Sequence, residues 1–131
     1  MRREREDEGQ ASVELALALP LVVLLLLGVV QLGLLVADQI LVVHAAREAA
    51  REAAVDASPD APRRAAVASS TLTESRMTVT SSGRGPAGSR VRVEVAYRAP
   101  TVVPLLGAAV GDVTLRASAT MRVEGSSTGG G

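Results

Sequence analysis

Cysteine is absent from this chain of 131 residues, so the sequence can form neither a disulfide nor a thiolate metal site. Lysine, phenylalanine and tryptophan are absent too. Neither sign of charge is in excess, because 14 basic residues, all arginine, are balanced by 14 acidic ones. Without a long-range field of one sign, nucleic acid is not expected as a partner. The length leaves room for one small soluble domain at most, which excludes a multidomain enzyme.

The groups that carry out most catalytic chemistry are also sparse. His44 is the only histidine, and with Asp38 and Glu48 it forms either an incomplete metal or general-base site or a solvated cluster on a helix face. The serines have no base to activate them. The glycines within residues 83–88 do not lie between a strand and a helix, so they predict a hairpin turn rather than a phosphate-binding loop. We therefore predict no catalytic residue, no metal, no cofactor and no enzymatic activity.

What the sequence has instead is one long apolar run, residues 15–37, LALALPLVVLLLLGVVQLGLLVA. It contains no charged residue and, as a helix, would rise roughly 34 Å, against a hydrocarbon core of about 30 Å. A chain this short offers no interior large enough to bury such a helix, so a buried core helix is the weaker alternative. We predict a transmembrane helix, with a kink just before Pro20, which removes one helical hydrogen bond.

The helical pattern continues beyond this run. No glycine or proline occurs between it and Pro59, and alanine, the best helix former, dominates the segment. We predict a single helix over residues 10–57, preceded by a leader of residues 1–9. Small apolar residues at spacings of three and four share one helix face, and they are Val43, Ala46, Ala50, Ala53 and Ala57. This face either packs against another element or, in a plain solvated linker helix, against nothing.

After the helix the apolar pattern changes to a period of two. Pro59 and Pro62 end the long helix, and a shorter helix is predicted over residues 63–72. Apolar and polar residues then alternate in three segments, which predict antiparallel strands over residues 77–81, 90–98 and 113–123. An apolar loop is predicted over residues 100–111, which contain two prolines and two glycines.

These elements define an α+β fold: a long N-terminal helix, first transmembrane and then amphipathic, and a small domain with a short helix and a three-stranded antiparallel sheet. The domain is expected over residues 58–124 and a flexible tail over residues 125–131. The apolar face of the sheet needs a cover, which the small-residue face of the helix can supply. The side chains expected to pack on the helix are Val91, Val93, Val95, Leu115, Ala117 and Met121. The arginine-rich opposite face either is solvated or meets an acidic surface.

Immediately before the apolar run stands a glycine followed, five residues later, by an acid: Gly9 and Glu14 in GQASVEL. A carboxylate costs roughly 2.5 to 3.5 kcal/mol at the bilayer centre and less near its edge, so Glu14 requires compensation. If the chain were cut after Gly9, the new α-amine would belong to Gln10, four residues from Glu14 and on the same helix face. Such a pair, within one chain or between neighbours, gains roughly 4 kcal/mol before desolvation at about 4 Å and an effective dielectric constant near 20.

A glycine, a glutamate five residues on and an apolar helix resemble the processing site of type IV prepilins. The longer pattern, GQASVELALALPLVVLLLLGVVQLG followed by AAREAAREAA, resembles the TadE-like family of the Tad (Flp, type IVc) pilus system. Gln31-Leu32 stands where members of that family often have Glu-Phe. The resemblance implies a pilin-like fold and cleavage after Gly9 by a prepilin peptidase, with Gln10 and Glu14 in the new N-terminal segment.

The resemblance also implies a function, that of a minor pilin or pseudopilin that helps to assemble or prime a Tad pilus in the bacterial cell envelope. The partners it implies are membrane lipid, the prepilin peptidase, other pilin-like subunits and the Tad secretion machinery. The chain would be a single-pass membrane protein with a cytoplasmic N-terminus and an extracytoplasmic domain. Three arginines before the apolar run and two soon after it give a slight bias in the same direction.

Two alternatives remain open on the sequence alone. The run could be a secretory signal cut after Leu35-Val36-Ala37, against which stand an acid-rich leader and a length above the usual 7 to about 15 apolar residues. The chain could also be an anchored or secreted envelope protein whose sheet domain binds a ligand through its arginine face or the loop at residues 100–111. The mass of the mature protein separates these cases. Loss of residues 1–9 indicates a pilin, loss of residues 1–37 secretion, and no loss a plain anchor.

Overall fold

A computed structural model of the chain describes residues 2–125, with side chains for residues 9–103 and 107–125. Its first element is helix α1 (Arg2–Val55), which has 54 residues and is therefore about 80 Å long. The prediction of one continuous helix through the apolar run is confirmed, and the helix continues past Pro20. It begins at Arg2 rather than at Gln10 and ends two residues earlier than predicted. The predicted tail lies outside the described residues except for Gly125.

The second helix, α2 (Ala61–Ala68), packs against α1. Pro62 lies in its first turn, where a proline removes no helical hydrogen bond. The predicted range of residues 63–72 is wrong at both ends. The hydroxyl groups of Ser69 and Ser70 donate to the carbonyl oxygen of Ala66, which competes with continuation of the helix. Leu72 then turns into the core and is buried.

The sheet follows a short 3-10 turn and contains three antiparallel strands, as predicted. Strands that are neighbours in the sheet are consecutive in the sequence. The strands are β1 (Met77–Ser82), β2 (Arg90–Ala99) and β3 (Val113–Arg122). In the central strand Val93 is completely buried while Arg92 is exposed. The predicted register, which places the valines of β2 inward, is therefore confirmed.

The β2–β3 connection, residues 100–112, differs from the irregular loop expected there. It contains a short helix, α3 (Pro104–Val110). Pro104 stands at the start of this helix, where its fixed φ suits the first turn, so the proline taken to indicate a loop begins a helix instead. Gly111 ends the helix with a φ of 70°, a conformation that favours glycine.

The core lies between α1 and the apolar face of the sheet. The sheet contributes large side chains from β2, and α1 contributes a face of mostly alanine. The α1 residues of this face, all at most 4% exposed, are Val42, Ala45, Ala46, Ala49, Ala50, Ala53 and Ala54. Packing of the small-residue face on the sheet is confirmed, and the solvated linker helix is wrong. Two residues predicted for this face are not among its buried members: Val43 is only partly buried, and Ala57 is exposed beyond the end of the helix.

The third strand lies at the edge of the sheet, and its inward side chains are less covered than those of β2. Leu115 and Ala117 are partly buried and pack on the core, as predicted. Met121 was also expected to pack on the helix; it is 38% exposed and lines an open cavity with Arg51 and Ala54 of α1, outside the core cluster. Its partner across the strands is the fully buried Val91, so the register is correct. Met121 is exposed because it lies near the open end of an edge strand.

We expect Ala49→Leu to destabilise the fold. Ala49 is completely buried in the α1 face that packs on the sheet, so a larger side chain should overpack the interface and lower the free energy of unfolding by about 1 to 3 kcal/mol. Ala57→Leu, at an exposed position, is the matched control and should change it by less than about 0.5 kcal/mol. Thermal unfolding of the full chain in detergent micelles, followed by circular dichroism, measures both. Equal melting temperatures would contradict this packing.

Candidate membrane anchor and processing site

The predicted processing residues Gly9, Gln10 and Glu14 lie in the N-terminal part of α1. All three are exposed. Helix geometry places Gln10 and Glu14, four residues apart, on one face. A Cβ atom added at Gly9 would meet no heavy atom within 4 Å. The segment is therefore accessible, and the folded chain has room for a larger side chain at Gly9.

The apolar run that follows is exposed on all sides over most of its length. Among the described residues, α1 is the one helix long and apolar enough to cross a membrane. The leucine and valine side chains between Val13 and Val30 are 38% to 75% exposed. A helix with apolar side chains all round requires an apolar solvent or partner helices. The helix is consistent with a single-pass membrane anchor.

Contact between α1 and the domain begins inside the predicted span, at Gln31. This side chain is only 6% exposed. Its Nε2 donates to the carbonyl oxygen of Pro100 at 3.4 Å, and its Oε1 accepts the backbone N–H of Val102 at 3.0 Å. Both ends of the amide are thus paired, as a buried polar group requires. Leu35, one turn further, packs on the core. Residues 31–37 therefore belong both to the predicted span and, on one face, to the domain interface.

A second glutamine joins α1 to the sheet about two turns further along. The Nε2 of Gln39 donates to the backbone carbonyl oxygen of Arg116 in β3 at 3.1 Å. An edge strand presents carbonyl groups that no neighbouring strand binds, and the glutamine satisfies one of them. Because Gln31 and Gln39 bind backbone atoms at fixed places in the domain, they set the height and rotation of α1 relative to the sheet.

At the C-terminal end of α1, an arginine from the β1–β2 turn and a backbone N–H just after β3 donate to carbonyl groups at the end of the helix. The guanidinium of Arg84, in the β1–β2 turn, donates to the carbonyl oxygens of Ala53 and Asp56. The backbone N–H of Glu124, just after β3, donates to the carbonyl oxygen of Ala54 at 3.1 Å. The C-terminus of a helix has unpaired carbonyls and a partial negative charge, so an arginine is stabilising there.

Asp56 closes the turn from α1 into α2. The backbone N–H of Ser58 donates to its Oδ1 at 2.8 Å, and Arg64 lies 3.4 Å from its Oδ2. The hydrogen bonds from Ser58, and after them the positive charges of Arg64 and Arg84, hold the pKa of the Asp56 carboxyl below its usual value. The carboxylate therefore remains ionised at neutral pH and fixes the turn.

His44 lies on α1 with Asp38 and Glu48, the two acidic residues considered with it above. His44 is exposed, whereas Asp38 and Glu48 are partly buried. Within the part of the chain that the structure describes, no group of three or more His, Cys, Asp or Glu residues is placed to hold a metal ion.

The arginine-rich face of the sheet is partly compensated by its own neighbours. Arg92 Nη2 donates to the hydroxyl oxygen of Ser118 at 2.9 Å, and Arg116 Nη1 lies 3.8 Å from Glu94 Oε1. Both pairs are exposed and cross from one strand to the next. Exposed pairs of this kind contribute at most about 1 kcal/mol each. The ion pair of Arg116 with Glu94 also reduces the positive charge that this face offers to an acidic partner, whereas the hydrogen bond of Arg92 to Ser118 leaves the charge of Arg92 unchanged.

The apolar half of the long helix is exposed, and its other half packs on a small α+β domain. Among the described residues, this architecture is that of a protein with one candidate membrane span. Residues 9–51 match the family model described as TadE-like protein, so the chain carries a TadE-like family domain in this region. The match begins at Gly9 and ends in the part of α1 that packs on the sheet. No curated protein and no solved structure matches the chain. The family implies a protein associated with the Tad pilus.

The polar residues that join α1 to the domain were not among those predicted from the sequence. Gln31 is the only polar side chain in residues 15–37, and its isolation in an apolar run is the signal that could have identified it. Gln39 and Arg84 carry no such signal. Their acceptors are backbone carbonyls, which come within reach only when the sheet packs against the helix.

We expect Arg84→Met to destabilise the junction of helix and sheet. The change leaves the carbonyl groups of Ala53 and Asp56 without their guanidinium donor and should lower the free energy of unfolding by about 1 to 3 kcal/mol. Arg90→Met, at an exposed position in β2, removes the same charge and is the matched control. Chemical denaturation of the full chain in micelles measures the difference. A loss of the same size in both variants would show that charge, not the helix-end contact, is responsible.

Proposed function

We propose that this chain is a non-enzymatic, membrane-inserted pilin-like subunit, a minor pilin or pseudopilin, that takes part in the assembly of a Tad pilus. The observation that carries this proposal is the position of the TadE-like domain. It begins at Gly9 and covers the exposed apolar part of α1. Proteins of this family are generally pilin-like and non-enzymatic. The proposed partners are membrane lipid, a prepilin peptidase, other pilin-like subunits and the Tad secretion machinery.

In the proposed topology, residues 1–9 are a cytoplasmic leader, α1 crosses the membrane, and residues 58–124 form the extracytoplasmic domain. Cleavage after Gly9 would release the leader and leave Gln10 as the new N-terminus. The exposure of Gly9 supports this, because a peptidase that draws a peptide bond into its site benefits from a residue without a side chain. The slight excess of arginines before the span supports the orientation.

The proposed mechanism is packing rather than catalysis. The apolar half of α1 would hold the subunit in the bilayer until assembly and then pack among the helices of neighbouring subunits. Its exposed leucines and valines, present on all sides, suit both environments. A filament grows through contacts between two different surfaces of each subunit, and the protruding helix and the separate sheet domain supply two such surfaces.

The packing of α1 also supports this proposal over a secreted protein. Cleavage after Ala37 would remove Gln31 and Leu35, both of which contact the domain. It would also cut a helix that continues without interruption to Val55. The secreted form would thus lose part of its own interface, whereas cleavage after Gly9 leaves that interface intact.

We expect Gly9→Leu to block maturation and leave a full-length precursor in the membrane. A leucine side chain should be excluded from the peptidase site, yet the space around Gly9 accommodates it in the folded chain. The chain is expressed with its cognate prepilin peptidase, and the mass of the product is measured. Gly28→Leu, also at an open position of α1, is the control and should be cleaved normally. A product of Gly9→Leu that begins at Gln10 would contradict the proposal.

We expect Glu14→Ala to have a different effect, because Glu14 would act after cleavage. Its carboxylate is proposed to pair with the new α-amine of Gln10, on its own chain or on a neighbour. Processing should therefore continue while pilus assembly falls. Mass spectrometry reports the first and a count of surface pili the second, with Glu48→Ala as the matched control outside the apolar segment. Normal piliation by cleaved Glu14→Ala would remove the proposed role of this residue.

A further inference from the structure

The sheet of the domain lies along α1 rather than across it. Gln39 contacts the β3 strand at Arg116, and Ala54 contacts the same chain segment at Glu124. Between these contacts the segment advances about 26 Å and the helix about 22 Å. Because the two lengths are similar, β3 runs nearly parallel to the helix axis. The β2–β3 connection therefore lies at the end of the domain that faces the apolar half of α1.

The depth of the β2–β3 connection relative to a bilayer follows from the length of α1 between Glu14 and Gln31. From Glu14 to Gln31 the helix rises about 26 Å, less than the roughly 30 Å of a hydrocarbon core. If the carboxylate of Glu14 stands at one edge of the core, Gln31 lies just inside the opposite edge. The hydrogen bonds from Gln31 to Pro100 and from Val102 to Gln31 hold the β2–β3 connection at that level.

The side of α1 that faces away from the domain near Gln31 also supports a position at the edge of the hydrocarbon core. Leu32, Leu34 and Val36 are 63%, 45% and 61% exposed, although Gln31 and Leu35 on the same turns contact the domain. These turns thus have one side against protein and another that is apolar and uncovered. Such a helix segment is stable at the boundary of a bilayer, where lipid covers the side that the domain leaves open.

The β2–β3 connection has the composition of a segment in contact with lipid. Residues 99–111 contain no charged side chain, and the nearest charges are those of Arg98 and Asp112. Val102 and Val110 are 63% and 67% exposed. Part of its backbone is also paired, since α3 contains helical hydrogen bonds and the hydroxyl of Thr101 donates to the carbonyl oxygen of Gly111 at 2.6 Å. Internal pairing of this kind is required where water is scarce.

We propose that the β2–β3 connection is a second membrane contact, which enters the interfacial layer of the same bilayer that α1 spans. Val102 and Val110 insert among the lipids, and Arg98 and Asp112 remain in water and limit the depth. The domain then stands upright on the membrane surface, with the β1–β2 turn at its far end. This inference depends on the membrane insertion of α1 contained in the proposed function, but on neither cleavage nor pilus assembly.

Single tryptophan variants test this directly, because the chain has no native tryptophan. Val102→Trp and Val110→Trp place a fluorophore on the connection, Ser82→Trp places one at the far end of the sheet, and Leu24→Trp places one within the span. Each full-length variant is reconstituted into phosphatidylcholine vesicles without brominated lipid, with lipid brominated on the acyl chain near the headgroup, or with lipid brominated near the end of the acyl chain. The last of these is the quencher for Leu24→Trp, because Leu24 lies about 15 Å from Glu14 along the helix, close to the bilayer centre. Val102 and Val110 are exposed, so the substitutions should be accommodated in the folded chain.

Insertion to an interfacial depth of about 5 to 10 Å should quench Val102→Trp and Val110→Trp at least about twofold, and Ser82→Trp by less than about a tenth. Unquenched Val102→Trp and Val110→Trp beside quenched Leu24→Trp would overturn the inference and leave the anchor intact. Blue-shifted emission without quenching would assign the surface to a second copy of the chain, and equal quenching of Ser82→Trp would mean that the domain lies flat. Both outcomes overturn the inference. An unquenched Leu24→Trp would overturn both the inference and membrane insertion.

Discussion

The contact between the alanine-rich face of α1 and the valines of β2 is the interaction on which the domain depends. The sheet has one apolar face, and without α1 the side chains of Val91, Val93 and Val95 would lie in water. Full burial of such a side chain is worth about 1.5 to 3 kcal/mol. Alanine on the helix lets its backbone approach closely, and the valines fill the space. The core of the domain thus includes the continuation of the candidate membrane helix.

An apolar contact of this kind does not by itself fix a position, because the hydrophobic effect is non-directional and a row of alanines offers several equivalent positions along the helix. Directional contacts at both ends supply what is missing. Gln31 and Gln39 bind backbone groups at one end of the domain, and Arg84 and Glu124 bind the last turn of α1 at the other. Displacement of the sheet by one helical turn would break all of them at once.

The sequence alone predicts the elements whose patterns are local. The apolar run and the alanine segment predicted α1, and the alternation of valine with charged residues predicted β2 and its inward face. The predicted element boundaries were wrong where one residue type is compatible with two different structures. Pro104 suggested a loop but begins α3, and the serines after α2 end a helix that propensity would extend. Met121 follows the alternation perfectly, yet its exposure depends on its place at the end of an edge strand, which periodicity does not encode.

The candidate site likewise contains residues that a local sequence pattern predicts and residues whose role depends on partners far away in the sequence. Gly9 and Glu14 are predicted as processing residues from their spacing before an apolar run, which is a local sequence pattern. The partners of Gln31, in contrast, lie about 70 residues away, in the β2–β3 connection. An amide in an apolar run is unfavourable in lipid unless both of its ends are paired. Because its partners are backbone groups of the domain, α1 can carry this polar group into the apolar layer only when the domain is folded against it. In the proposed topology, Gln31 therefore couples the position of the helix in the bilayer to the folding of the domain outside it.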